Sequence, residues 1–236
     1  MLIPYNGTTV EFKIPDGYKN IALNISGGAD GAIILYTLAK YITENDIDIT
    51  VDIYTMSTED RHRWHSKFSN AQIDFVSRKF LHKAERNFLR HHIILNGWER
   101  DNAEYRTRIA DLQKEHYKQG YIDLVVNGKT AIPEEDIIVD GVNLSEMEFH
   151  YKDRHGYNHP EFWKYGGDQD MPQGYSPFVN QDKRFIAYLY DYFGIRDEYF
   201  PLTRSCETFD LELIDNNIHC GECWDCLERK WAFGEM

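Results

Sequence analysis

Asn20-Ile-Ala-Leu-Asn-Ile25, running into Ser26-Gly27-Gly28-Ala29-Asp30-Gly31, is the stretch whose reading decides the fold of this chain. The short apolar run predicts a strand that ends at the glycines. From Ala32 to Ile42 the apolar residues fall at 33, 34, 35, 38 and 39, a helical spacing. Strand, glycine turn and helix in that order open a parallel-sheet unit. The turn itself suggests chemistry. A strand-to-helix junction exposes unpaired backbone N–H groups at a helix N-terminus, where a phosphate or pyrophosphate binds well. Glycines let the backbone approach the oxygens closely. Ser26 adds a hydroxyl donor, and Asp30 suits either a helix cap or a ligand to a phosphate-bound magnesium ion. A tight turn with no ligand is the competing reading of so short a motif. No Gly-Lys-Ser/Thr follows, so the turn is not a Walker A loop, nor does it read Gly-x-Gly-x-x-Gly.

Working outward, residues 8–14 alternate after an Asn6-Gly7 turn signal and predict part of a hairpin. Strands are expected at 46–54, 92–95 and 122–126, and helices at about 66–80, 106–119 and 177–193. Residues 133–176 are rich in His, Tyr, Gly and Asp with little periodicity, and read as an insertion or a substrate-covering loop. The expectation is an α/β fold of a parallel sheet flanked by helices. Residues 1–200 would form that domain, with an N-terminal hairpin at about 1–15 and the divergent stretch at about 133–176. Residues 201–236 would form a metal-binding segment.

That last segment holds every cysteine of the chain: Cys206, Cys220, Cys223 and Cys226. Four thiolates close a tetrahedral shell around one zinc ion. A redox pair with spare thiols and a disulfide staple are the other readings. Met1-Leu-Ile-Pro-Tyr shows no export signal and no apolar run is long enough to span a membrane, so a cytoplasmic location with reduced thiols is expected. A net charge of −13 argues against a nucleic-acid partner. The histidines at 62, 65, 91, 92, 155 and 159 have no spacing that fixes a second metal site and read as solvated or packing residues. Trp98, Trp163 and the tyrosines at 151, 157, 165 and 175 are candidates to stack on a purine-like ring, or plain packing aromatics. Trp224 and Trp231 are expected to pack the cysteine segment onto the domain, and Arg229 to cap the final helix or reach a phosphate.

Ser-Gly-Gly-x-Asp after the first strand resembles the signature of the N-type ATP pyrophosphatases, the PP-loop enzymes. Pro177-Phe-Val-Asn-Gln-Asp-Lys183, Tyr199-Phe-Pro-Leu-Thr-Arg-Ser-Cys206 and Cys220-Gly-Glu-Cys-Trp-Asp-Cys-Leu-Glu-Arg229 are similar to stretches of one branch, the 7-cyano-7-deazaguanine (preQ0) synthases of the queuosine pathway. Asp60-Arg61-His62 is a weaker match. The resemblance implies a Rossmann-like, adenine nucleotide alpha hydrolase-like fold. It implies conversion of 7-carboxy-7-deazaguanine to the nitrile with ammonia and ATP, through an adenylated carboxylate and an amide. Ser26, Gly27, Gly28, Asp30 and Gly31 are then the pyrophosphate cradle, with Mg²⁺ at Asp30. Asp30 and Lys183 are the catalytic residues, and the four cysteines hold a structural Zn²⁺. Family members are often homodimers. The sequence departs from the family at Gly31, where a serine is usual, and at the base-binding end. There Arg106, Arg108, Asp153-Arg154 and Glu161-Phe162 are only faint counterparts. An enzyme that stops at the amide or joins another amine to the carboxylate, and a nucleotide-binding protein without turnover, are the alternatives.

Overall fold

The computed structural model describes residues 1–58, 63–80, 89–96, 102–132, 136–147, 160–164, 170–208 and 210–236. Asp60-Arg61-His62, Trp98, Asp153-Arg154, His155, His159 and the tyrosines at 151, 157 and 165 lie outside the described residues.

The chain opens with a hairpin of β1 (Leu2–Tyr5) and β2 (Thr8–Glu11), in antiparallel register with Tyr5 opposite Thr8. Asn6 and Gly7 both have positive φ, 47° and 75°, which is the mirror-image turn that matches strand twist. A central six-stranded sheet follows. Its members are β3 (Asn20–Asn24), β4 (Thr50–Thr58), β5 (Leu89–Asn96), β6 (Leu124–Val126), β9 (Phe162–Lys164) and β10 (Gln173–Tyr175). In space the order is β5-β4-β3-β6-β10-β9, all parallel except the edge strand β9. A two-stranded hairpin, β7 (Ile138–Val139) and β8 (Val142–Asn143), stands apart from it. The helices are α1 (Ala29–Glu44), α2 (Trp64–Phe80), α3 (Asn102–Lys118), α4 (Lys183–Tyr192), α5 (Arg196–Tyr199), α6 (Leu211–Asp215) and α7 (Trp224–Phe233). None of the described helices is long and apolar enough to cross a membrane.

The α/β fold expected from the sequence is the one observed. β3 is buried at Ile21, Ala22 and Leu23 because its two faces are covered by different elements. One face packs Ile21 and Leu23 with α1 residues Ile33, Ile34 and Leu38 in the main core. On the other, Ala22 joins Tyr54, Ile122 and Val125, against which Ile109 and Leu112 of α3 pack. Fully burying a Leu or Ile is worth about 1.5–3 kcal/mol, so the two layers fix β3 as the centre of the sheet.

Three expectations shift. The second strand starts at Thr50 rather than 46, since Asp46 takes a left-handed turn conformation at φ 50°. The helix expected from 177 begins only at Lys183, with Asp182 as its N-cap accepting the Arg184 amide at 2.8 Å. Within 133–176, read as an insertion or covering loop, the described residues supply β9 and β10. β10 pairs with β6 in parallel and so extends the main sheet.

Candidate functional site

The strand order places β4 on one side of β3 and β6 on the other. The chain therefore reverses its direction of travel across the sheet at β3 and β6. In open α/β sheets the crevice outside the carboxyl ends of such a strand pair is where ligands bind. Here the crevice is bounded by Ser26–Gly31 after β3 and by Asn127-Gly128 after β6. The two loops touch. A Cβ added at Gly128 would stand 2.9 Å from Asp30 Cβ and 3.2 Å from the Gly31 amide nitrogen. Gly128 is thus held to glycine by the approach of the first loop, a role with no signal in its own sequence neighbourhood.

The glycines of the first loop divide their work. Gly27 has φ 85°, and a Cβ there would lie 2.6 Å from Phe68 Cβ on α2. Its carbonyl accepts from Gln72 Nε2 at 2.8 Å and from the Arg204 amide at 2.9 Å. Gln72 is fully buried and also donates to the Leu202 carbonyl at 2.9 Å. Gly27 is a fold requirement, anchored from two sides. Gly28 differs. Its φ is −74°, open to any residue, and nothing comes nearer than 3.6 Å to a Cβ built on it. The nearest atoms are the Ser26 hydroxyl, the Arg204 carbonyl and the Ser205 hydroxyl, between 3.6 and 3.9 Å away. Gly28 is partly exposed at the N-terminus of α1, and the place a Cβ would take there is lined by polar atoms at van der Waals distance.

Asp30 was expected as a helix cap or a magnesium ligand. Gly28 holds the cap position without any side-chain cap bond, and Asp30 sits inside the first turn of α1. Its Oδ2 accepts from Lys183 Nζ at 2.5 Å across 153 residues of sequence. Its Oδ1 is buried and has no hydrogen-bond partner among the described residues. A buried carboxylate oxygen without a partner is costly, and a cation restores the balance. The orphaned oxygen in the first turn of α1 therefore fits a cation such as magnesium, and the amides of the same turn fit a polyphosphate. Lys183, the first residue of α4, is only 5% exposed, and a second carboxylate, Glu228, lies 3.6 Å from its Nζ. Two buried tyrosines brace the same turn, Tyr190 donating to the Ala29 carbonyl at 2.9 Å and Tyr199 to that of Ala32 at 3.0 Å. Burial raises both phenol pKa values well above the ordinary value, so both stay protonated and keep these donated bonds.

Gly31 also has a local reason. A Cβ there would stand 3.1 Å from Ile25 Cγ2, so a serine at this position requires Ile25 to give way by a few tenths of an ångström.

The four cysteines converge. Their Sγ atoms all lie within 4.8 Å of one another, and those of Cys220 and Cys226 are 3.9 Å apart. None is in a disulfide. A zinc ion with bonds of about 2.3 Å holds tetrahedral thiolates about 3.8 Å apart. The Cys220 amide donates to Cys206 Sγ at 3.4 Å and the Cys223 amide to Cys220 Sγ at 3.3 Å, which stabilises thiolates. Hydrogen bonds among the thiols lower the Cys206 pKa and raise those of Cys223 and Cys226. The set can hold a metal ion. Among the described residues no other group of His, Cys, Asp and Glu does so.

Trp224 behind the knuckle is buried with Leu227, Ile137, Val139 and Leu144, and Trp231 packs on the same cluster, as expected. Arg229 does not cap the last helix; Gly234, in left-handed conformation at φ 75°, does, through its amide and the Lys230 carbonyl. Arg229 is buried, lies 3.8 Å over the Phe200 ring and donates to Thr203 Oγ1 at 2.8 Å. Burial lowers its pKa to about 10.

The other candidates are structural where described. His65 bonds the Met56 carbonyl at 2.9 Å, and His92 bonds the buried Asp52 at 2.7 Å. Tyr175 is buried against Phe162 and donates to the Lys13 carbonyl at 3.0 Å. Trp163 lies over Gly174, where a Cβ would meet its ring at 2.3 Å. These aromatics close the sheet edge. Arg106 and Arg108 lie on α3, which covers the face of the sheet that carries Tyr54 and Ala22.

The sequence matches no family model and no curated protein. Among solved structures it is similar to NMN synthetase from Francisella tularensis, at 12% identity and a TM-score of 0.46, over 93% of this chain and 79% of that one. It is similar to the U34-tRNA thiolase NcsA from Methanococcus maripaludis with its 4Fe–4S cluster, at 11% identity and a TM-score of 0.44, over 93% and 72% of the two chains. A universal stress protein in complex with cAMP aligns with 47% of this chain and 75% of its own, at 9% identity and a TM-score of 0.26.

Proposed function

We propose that this chain is an ATP-dependent enzyme of the PP-loop type. In its finer form the proposal is that it converts 7-carboxy-7-deazaguanine, with ammonia, to 7-cyano-7-deazaguanine. The observation that carries the ATP reading is the meeting of Asp30 and Lys183. Residues 153 apart in sequence close to 2.5 Å in the first turn of a helix whose N-terminus has no side-chain cap. The substrate reading rests on the sequence resemblance of the stretches at 177–183, 199–206 and 220–229.

In this reading the amides of the first α1 turn and the Ser26 hydroxyl bind the pyrophosphate portion of ATP. Asp30 binds Mg²⁺, which, when bound, neutralises charge on the phosphate oxygens. Lys183 turns from Asp30 toward the phosphates and stabilises the charge that develops as pyrophosphate leaves. Gln72 and the Arg204 amide hold the loop so that these groups need not reorganise. The four cysteines hold Zn²⁺ as a structural ion, with no open coordination position. Asp30→Ala tests the site. AMP release from ATP with the carboxylate substrate should vanish, and full AMP release in that variant would remove Asp30 from the chemistry.

A further inference from the structure

The last helix begins at the four-cysteine cluster and passes the proposed ATP site at its middle. Cys223 is the N-cap residue of α7 and Cys226 lies in its first turn. Glu228 follows two residues later, buried, with its carboxylate 3.6 Å from Lys183 Nζ. Lys183 is the first residue of α4. The two helices are clamped by the Arg184 guanidinium over the Trp231 ring at 4.7 Å and by Tyr190 against Phe233 at 5.6 Å. Arg229, fixed by Thr203 and Phe200, sets the rotation of α7. Lys183 therefore stands between two carboxylates of different origin, Asp30 from the glycine loop and Glu228 from the cysteine helix.

That arrangement matters because Lys183, paired with Asp30 Oδ2, has to turn from it to reach the phosphates, and a buried ammonium is strongly disfavoured without a counter-charge along the way. We infer that Glu228 is a positioning residue for Lys183. It keeps the lysine compensated and aimed at the crevice as it turns from Asp30 toward the phosphates of a magnesium–nucleoside triphosphate. Because the cysteine knuckle sets the start of α7, occupancy of the cysteine site is coupled through Glu228 to nucleotide affinity. This rests on the ATP reading above. It gives Glu228 a sign opposite to that of a bystander. Neutralising a nearby anion should by itself tighten binding of a polyanion, whereas loss of a positioning partner weakens it.

The test is a titration of the full-length protein with fluorescent N-methylanthraniloyl-ATP and magnesium, with bound metal counted in each sample. Wild type, Glu228→Gln, Glu228→Asp, Lys183→Met and the Glu228→Gln/Lys183→Met pair are compared, along with wild type stripped by a chelator under reducing conditions. The expected result is binding about tenfold weaker in Glu228→Gln, with the metal retained. Weaker binding in stripped wild type is also expected, as is no further effect of Glu228→Gln once Lys183 is gone. Unchanged or tighter binding in metal-loaded Glu228→Gln overturns the inference and leaves the ATP reading standing. If Glu228→Gln does not fold, Glu228→Asp and the stripped wild type decide, and wild-type affinity in both overturns it. Failure of the loaded wild type to bind the nucleotide overturns the ATP reading, and the inference with it.

Discussion

Two adjacent glycines separate what the fold needs from what the ligand needs. In Gly27→Ala, a residue with a Cβ would have to hold φ 85°, which costs about 1–2 kcal/mol. Its methyl would also press on Phe68 Cβ from 2.6 Å, a backbone-proximal contact that cannot swing away. Overpacking of that kind costs about 1–3 kcal/mol. The sum, about 2–5 kcal/mol, lowers the melting temperature by roughly 4–20 °C for a chain of this size. In Gly28→Ala the backbone is already in a common conformation and the methyl meets nothing within 3.6 Å. Losing glycine at an N-cap costs up to about 1 kcal/mol, and the reduced freedom of the unfolded chain returns about 0.4–1 kcal/mol. The fold is therefore unchanged within about 1 kcal/mol, while the methyl occupies the space read as the phosphate seat. Melting curves and fluorescent-ATP titrations of both variants make the check. The expectation is a low-melting Gly27→Ala, and a Gly28→Ala that melts like wild type and binds nucleotide at least tenfold more weakly. A Gly28→Ala protein with wild-type affinity would refute the assignment of that space. One that melts as low as Gly27→Ala would refute the division of labour.

Lys183→Met should abolish ATP-dependent AMP release and lower stability by about 3–5 kcal/mol, because it leaves Asp30 and Glu228 without their shared cation; full turnover would exclude the lysine. The purified protein should carry one equivalent of metal, identified as zinc by elemental analysis, and Cys223→Ser should lose it together with soluble yield. Gly174→Ala should cost about 1–3 kcal/mol by displacing the Trp163 ring, with little effect on nucleotide affinity, as melting and titration would show. Burial, aided by the neighbouring His92, lowers the His91 pKa from 6.5 to about 4. Its neutral form is the one the fold prefers, so the stability it contributes is complete above pH 6.5 and is lost as pH falls toward 4. Melting temperatures across that window should fall less steeply in His91→Gln, and identical slopes would contradict this.

The centre of the fold was readable because local signals agreed. An apolar run, two glycines and a helical stripe could form only one kind of unit, and β3, the loop and α1 form it. The edge was not readable. β9 and β10 are three residues each, and β10 contains Gly174, whose reason is a tryptophan ring from the neighbouring strand. No period shows in three residues, and the cause of the glycine lies eleven positions away. The delayed start of α4 has a similar origin, since Phe178 and Val179 are buried in a turn and mimic a helical stripe. At the site, Asp30, Lys183 and the cysteines were marked by motifs. Gln72 and Gly128 were not, and Glu228 lay inside the cysteine stretch with no role attached, because each acts through tertiary contacts with segments far away in sequence. Gln72 in particular is one polar residue on a half-buried helix until the Gly27 carbonyl is placed over it.

The central claim is that the crevice at Gly28, Asp30 and Lys183 activates a deazaguanine carboxylate with ATP. The most direct measurement is mass spectrometry of the bases after incubation with ATP, Mg²⁺, ammonium and 7-carboxy-7-deazaguanine, with AMP followed in parallel. The account predicts 7-cyano-7-deazaguanine, formed by way of the amide with AMP released at each activation. Absence of AMP with this substrate, from protein that carries its metal, would contradict it.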